Sequence, residues 1–472
     1  MVTLVPLPTA VIPLVRALGR TPHPAALAPA FRDLPYLLLL DSAMVNPPLG
    51  RYSYLAADPF LVVRSKGKRV ESIRGRAAER IDDNPLAVLR RVLQAFPVAR
   101  QPGLPPFQGG AAGYLAYDLG RLLERLPERA CDDLALPDLC LGFYDWVLAH
   151  DALTGESFLL STGWPEGHPR YAQERAEWAM RRIQKARPEG TPPTGPYMEG
   201  LDSNFTHEAY IQAVRAVKAY LEAGDVYQVN LSQRFHGQLR GRPWDLYRAL
   251  RQVNPAPFAA YFETPEVTVL SASPEQFLRI EGRRVETRPI KGTRPRGQTL
   301  EADRALGREL LASEKDRAEN VMIVDLLRND LGRVCRVGSV EVPFLFSLEA
   351  HPTVFHLVSS ITGVLAEGKS AIDLLQAAFP GGSVTGAPKI RAMEIIEELE
   401  PTRRGIYCGS IGFISFTGDM STSIAIRTIV AHQDKLYIQV GGGVVADSDP
   451  EAEYQETLYK AEGLLRAARG HV

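Results

Sequence analysis

The chain is poor in cysteine: Cys131, Cys140, Cys335 and Cys408 are the only four in 472 residues. No two form a C-x-x-C pair and no Cys/His cluster has zinc spacing, which removes zinc modules and dithiol redox motifs. Free thiols in a reducing cytoplasm are the expected state. An excess of either charge is also missing. With 54 Lys+Arg against 55 Asp+Glu the net charge is −1, so no basic field for nucleic acid is expected. No run of about 18 apolar residues occurs, and no membrane-spanning helix is expected. The apolar stretch Val2–Pro8 is broken by prolines and has no basic flank, so no signal peptide is read there. Internal repeats, a G-x-x-x-x-G-K-[ST] loop and a G-x-C-x-G nucleophile elbow are all absent. What remains, with 45% hydrophobic and 23% charged residues, is the composition of a soluble globular protein. Its length suits two or three ordinary domains or one large two-lobed one. The expected partner is a small molecule or another protein.

Proline and glycine concentrate at Arg187–Pro196, with four prolines and two glycines in ten residues, where neither a helix nor a central strand can persist. This divides the chain into an N-terminal region (1–187), a linker or surface excursion (188–203) and a C-terminal region (204–472). Before the seam, strands are predicted at Tyr36–Leu40, Tyr52–Ala56, Leu61–Val63 and Phe158–Ser161, and helices at Pro85–Phe96 and Arg170–Lys185. After it, Thr206 reads as an N-cap ahead of the apolar stripe Tyr210, Val214, Val217 and Leu221. Strands follow at Asp225–Phe235, Ala259–Glu263, Thr268–Ala272, Phe277–Ile280, Arg284–Arg288, Tyr407–Phe416, Thr422–Val430 and Lys435–Val440. Ser313-x-x-Asp316 resembles a capping box for a helix to about Leu327. Further helices are predicted at Ala371–Ala378, Pro388–Leu399 and Glu451–Ala468. Strands joined by short turns favour antiparallel pairing, hence an α+β class.

Several segments are too polar or glycine-rich for simple core duty. In Val226–Arg234 one face carries Val226, Gln228, Asn230, Ser232 and Arg234; a solvated face is the plain explanation. Glu275 ends a strand after Pro274, and Lys291 lies between Ile290 and Gly292 in a turn constrained by Pro289. Each alone reads as a surface charge. Glu319 shares a helix face with Asp316 and Ile323. Glu453, Glu456 and Lys460 share a face of the closing helix. Those faces are either solvated ion pairs or two carboxylate sources meeting at a hard cation such as Mg²⁺, which takes one or two carboxylates plus waters and substrate oxygens. Gly381–Lys389 and Gly441–Gly443 offer backbone N–H groups for an anion. Arg427, between Ile426 and Thr428 in an apolar strand, needs a partner, and a bidentate carboxylate fits best.

Taken together, these stretches are similar to the chorismate-binding enzyme family, which includes component I of anthranilate synthase and of aminodeoxychorismate synthase, isochorismate synthases and salicylate synthases. The matching stretches run through nearly the whole chain. They are Gly224-Asp-Val-Tyr-Gln-Val-Asn-Leu-Ser-Gln-Arg-Phe235, Ser273-Pro-Glu275, Asp316–Asp325, Arg328-Asn-Asp330, Thr385-Gly-Ala-Pro-Lys389, Ile426-Arg-Thr428 and Gly441–Gly443. Leu40-Asp-Ser42, Gly50-Arg-Tyr-Ser53 and Pro106-Phe-Gln-Gly-Gly110 add to them from the N-terminal half. The resemblance implies two interleaved lobes forming a largely antiparallel β-sandwich with helices outside.

The resemblance also implies roles. Mg²⁺ is expected at Glu319 and Glu456, with Glu453 beside them. Arg427, Tyr407 and the Gly441, Gly442 and Gly443 backbone are expected to bind the carboxylates of chorismate, with Thr385, Gly386, His356 and Gln228 around the ring. Glu275 is the expected general acid. Gln228 stands where water-activating family members carry a lysine, which argues against isochorismate and salicylate synthesis. Lys291 stands where anthranilate synthases usually carry alanine. That residue, with Asn230 and Asn254-Pro-Ala-Pro-Phe258, implies amination at C4, as in aminodeoxychorismate synthases serving 4-aminobenzoate and folate synthesis. Ammonia is expected from a separate glutaminase subunit. Anthranilate synthase component I is the nearest alternative, and a non-catalytic chorismate-binding regulatory subunit the alternative of another class. Leu40, Asp41, Ser42 and Tyr52 resemble the family's tryptophan pocket.

Overall fold

Short strands joined by tight turns leave the backbone mainly antiparallel partners. The computed structural model describes residues 9–187, 189–351 and 354–470, and they build two twelve-stranded sheets whose ladders are antiparallel. One core lies between the sheets, where Tyr54 of the first meets Phe413 of the second edge to face at 5.4 Å. Two more cores lie between each sheet and its covering helices. The class is α+β, and the expected interleaving is real. Leu38–Asp41 of the N-terminal half pairs with Phe258–Glu263 in the first sheet, and Gly110–Leu115 pairs with Ser410–Ser415 in the second.

Alternation and caps locate many elements. Tyr52–Ala56 and Arg284–Arg288 stand as predicted. The Thr206 hydroxyl accepts from Ala209 N at 3.1 Å, starting the helix His207–Glu222. Ser313 accepts from Asp316 N at 3.3 Å, starting Glu314–Gly332, a full turn longer than expected. Gly110–Leu115, Leu139–Tyr144 and Trp146–Asp151 escaped prediction because every residue in them is buried. Strands covered on both faces show no period-two signal.

Two sequence expectations change. The stretch 188–203 does not stay a linker: Met198–Ser203 is an edge strand beside Gln228–Leu239, while Pro188 lies outside the described residues. The single strand expected over Thr422–Val430 is two, Met420–Ile424 in the second sheet and Thr428–His432 in the first. The run is continuously β-forming, with no glycine or proline to mark the break. Among the described residues no helix is long and apolar enough to cross a membrane.

Candidate active site

The chain crosses between the sheets twice at one place. Val267–Ser273 belongs to the first sheet and Gln276–Glu281 to the second, so Pro274 and Glu275 form one crossing. Ala425–Arg427 forms the return crossing. The two are tied by Ala272 N to Arg427 O at 3.0 Å and Ile424 N to Glu275 O at 3.1 Å. Arg427 therefore sits at a strand junction with φ +51°, a left-handed conformation uncommon for a non-glycine residue, rather than inside a strand. Burial pushes its pKa down. Its guanidinium donates to the Lys460 carbonyl, and among the described residues no carboxylate pairs with this half-buried cation.

Glu275 is 4% exposed. It accepts from the Ser383 hydroxyl at 2.5 Å. Burial raises its pKa to about 7, against the Ser383 hydrogen bond and the Lys291 charge. Lys291 is the second residue of the strand Ile290–Pro295. Burial pushes its pKa below the ordinary lysine range and Lys460 pushes the same way, against Glu319 and Glu275. One cause, removal from water, thus raises the pKa of the acid and lowers that of the amine.

The glycine triplet forms the floor. A Cβ on Gly443 would lie 2.1 Å from Gln228 Nε2 and 3.5 Å from Lys291 Nζ; one on Gly442 would lie 3.0 Å from Glu453 Oε2 and 3.5 Å from Glu456 Oε1. Any side chain there would fill the space in which these groups converge. Gln228 Nε2 donates to Glu319 Oε2 at 3.2 Å. Gln228, Lys291 and Glu319 therefore belong to one cluster, with Glu453 and Glu456 on its far side. Gly386, at φ +145°, packs so closely on Gln228 that a Cβ would stand 2.1 Å from its carbonyl oxygen.

The carboxylates fit a hard cation. Glu453 Oε2 is buried without a hydrogen-bond partner, and burial together with Glu456 raises the Glu453 pKa against its Ser448 hydrogen bond. Burial raises that of Glu319 as well, against the Lys291 charge. Burial acts upward on Glu456 too, but the adjacent Lys460 charge and hydrogen bond bring its pKa below normal. No ready cage of three side-chain ligands exists among the described residues. An incomplete carboxylate set completed by water and substrate oxygens is the donor pattern Mg²⁺ prefers.

Other expected residues fall around this cluster. Tyr407 is buried within the electrostatic reach of Arg427. His356 is buried, its Nδ1 3.0 Å from the Thr293 hydroxyl, and burial with His351 and Arg427 lowers its pKa to about 3, so the imidazole is neutral. The Thr385 hydroxyl is committed to the Gly381 and Gly382 carbonyls, at 3.1 and 3.2 Å. Sequence reasoning missed Ser383, for which no sequence signal exists. Lys460, which shares a helix face with Glu453 and Glu456 as expected, joins the site too: its Nζ bridges Glu456 at 2.5 Å and the Gly441 carbonyl at 2.8 Å. Leu40, Asp41, Ser42 and Tyr52 come together elsewhere, on a cavity of about 560 Å³ at the join of the two halves.

The family model for chorismate binding enzymes matches residues 50–466. The chain belongs to the chorismate-binding enzyme family. Among its relatives it is 47% identical to aminodeoxychorismate synthase component 1 of Salmonella typhimurium, over 92% of this chain and 93% of that protein. It is 46% identical to anthranilate synthase component 1 of Thermus thermophilus, over 92% and 94%. Among solved structures, anthranilate synthase component I from Streptococcus pneumoniae superposes with a TM-score of 0.80 at 31% identity, covering 90% of this chain and 93% of that one. Family members of both amination types are therefore nearly equidistant, and overall identity does not choose between them.

Proposed function

We propose that this chain is component I of an aminodeoxychorismate synthase, replacing the C4 hydroxyl of chorismate with an amine. The observation that carries this is Lys291, its Nζ beside Gln228 and Gly443 and within the influence of Glu275 and Glu319. Lys291 attacks C2 as the neutral amine, the ring electrons shift, and the C4–O bond breaks as Glu275 gives its proton to the departing hydroxyl. Ammonia then bonds to C4, the electrons shift back, and the C2–Nζ bond breaks. The proton shed by nitrogen returns to Glu275. The net exchange is chorismate plus ammonia for 4-amino-4-deoxychorismate plus water.

Arg427, Tyr407 and the Gly441–Gly443 amides hold the substrate carboxylates, while Thr385, Gly386, neutral His356 and Gln228 border the ring. Glu319 and Glu456, with Glu453, hold Mg²⁺, which when bound offsets negative charge on the ring carboxylate. Stripping the protein with EDTA is expected to abolish turnover and added Mg²⁺ to restore it. Glu456→Gln should raise the Mg²⁺ needed for half-maximal rate by about tenfold or more; full activity in EDTA would remove the metal from the scheme.

These residues all lie in 204–472, the catalytic region. In the 1–187 region, Leu40, Asp41, Ser42 and Tyr52 form a tryptophan pocket. Relatives called component 1 support a partner component; in this reading it is a separate glutaminase that supplies ammonia, and both work in the cytoplasm. The reading is tested with purified chain, chorismate, Mg²⁺ and ammonium chloride. The expected product is 4-amino-4-deoxychorismate, which a lyase converts to 4-aminobenzoate. Anthranilate fluorescence without a lyase would establish the alternative, anthranilate synthase component I.

A further inference from the structure

The strand face of Gln228, Asn230, Ser232 and Arg234, expected to be solvated, is instead buried and turned away from the covering helices. Two charged side chains lie against its middle. Glu400 follows the last residue of the helix Lys389–Leu399, and Arg404 pairs with it at i, i+4. Both are withdrawn from water, the side chains of Arg404 and Glu400 being 1% and 2% exposed. Glu400 Oε1 accepts from Ser232 N at 2.9 Å and from Ser232 Oγ at 2.7 Å. Arg404 donates to Glu400 through Nε at 3.0 Å and Nη2 at 2.7 Å. Its other hydrogen bonds go to backbone carbonyls, from Nη1 to Val384 O at 2.8 Å and from Nη2 to Asn230 O.

A buried ion pair is a weak source of stability, because desolvating both charges offsets most of their attraction. What this pair supplies is geometry, since it meets three pieces of the site at once. Val384 follows Ser383, whose hydroxyl donates to Glu275 at 2.5 Å. Asn230 N donates to Thr385 O at 2.8 Å, so strand and turn are tied on both sides of the Val384 carbonyl. Tyr407 rests near the same guanidinium, its ring centroid 5.8 Å from Arg404 Cζ, with Tyr117 at 4.8 Å. Arg404 bonds neither Glu275 nor Lys291; its hydrogen bonds go to Glu400, Val384 and Asn230.

We infer that Arg404, held by Glu400, is the positioning residue that sets the Ser383 hydroxyl against the proton-donating Glu275. The inference rests on the reading of Glu275 as the general acid. A planar fork fixes a carboxylate and two carbonyls in set directions, which a point charge does not. Ser383 in turn fixes the direction in which the Glu275 proton leaves. It also stabilises the carboxylate, opposing the burial that lifts this acid. Once that hydroxyl moves off, Glu275 keeps its proton to higher pH. Lys291 on the strand Ile290–Pro295 and Cys408 beside Tyr407 also face Glu275. Burial pushes the Cys408 thiol up to about 12, so it is uncharged near neutral pH and the charge facing the acid is that of Lys291.

The test uses Arg404→Lys, which keeps the charge and loses the fork. Chorismate consumption by the full chain, with Mg²⁺ and ammonium chloride, is followed across about pH 5.5 to 9.5 beside the parent. In Arg404→Lys kcat should fall about tenfold or more, with KM for chorismate within about threefold. The alkaline limb of kcat/KM should move up by about half a unit or more while the acidic limb stays in place. Ser383→Ala should move the alkaline limb the same way. Arg404→Lys combined with Ser383→Ala should move it no further than Ser383→Ala alone, since one contact is not lost twice. An alkaline limb that stays put in Arg404→Lys, or shifts that add in the double variant, overturns the role and leaves the pair to the fold alone. If Arg404→Lys does not fold, Glu400→Asp is read by the same criterion, because it keeps the charge and draws the pair back by one methylene. A parent without an alkaline limb sinks the acid reading and the inference with it; a limb present in the parent and unmoved in the variants sinks only the positioning role.

Discussion

Lys291→Ala is expected to lower 4-amino-4-deoxychorismate formation by about 10³-fold or more, since it removes a nucleophile held at its target at high effective concentration. The residual reaction should change character. With Nζ gone, C2 is open to ammonia itself, and the small amount of chorismate still consumed should appear as the C2-aminated product, the first step toward anthranilate. Lys291→Arg should not rescue the rate, because a guanidinium does not deprotonate in proteins, whereas a lysine can, the more readily with its pKa lowered. Chromatography of products at saturating ammonium chloride reads both effects. Unchanged rate and product in Lys291→Ala would end the covalent-lysine mechanism while leaving chorismate as substrate.

Glu275→Gln should cost about 10²–10⁴-fold in kcat with little change in KM for chorismate, the usual range for a lost general acid. Its pH profile is the sharper reading. Glu275 acts in its protonated form, so kcat/KM of the parent should fall as pH rises through about 7, the value to which burial lifts this carboxyl. Lys291 acts in its neutral form, so activity should also fall as pH drops below its lowered pKa. The glutamine variant has no proton to lose, so its residual activity should keep the acidic limb and lose the alkaline one. A parent profile flat across pH 6–9 would remove Glu275 from the acid role.

Much of this chemistry was legible before any coordinates. Glu275, Lys291, Glu319 and Glu456 lie in segments whose residue order is informative, and the caps at Thr206 and Ser313 fixed the starts of two helices. What the sequence hid were consequences of long-range packing. Arg427 looked like a strand residue because nothing local marks a crossing between sheets. The face of Gln228, Asn230, Ser232 and Arg234 looked solvated because alternation cannot distinguish water from a second sheet. Ser383 reaches Glu275 from a loop 108 residues away in sequence, and no spacing rule spans that gap. The central strands were lost because burial on both faces erases their period.

The interleaving of the halves also sets an order in time. The strands Leu38–Asp41 and Gly110–Leu115 each pair along one edge within the N-terminal half, with Tyr52–Ala56 and Leu139–Tyr144, and along the other with Phe258–Glu263 and Ser410–Ser415. During synthesis, the latter edge must wait for roughly 300 further residues, about 15–60 s at ordinary elongation rates. Until then two buried-type strands present open edges, the condition under which chains find one another. Biogenesis of this protein therefore depends on shielding an unfinished N-terminal half, a demand that a fold of two sequential domains would not make.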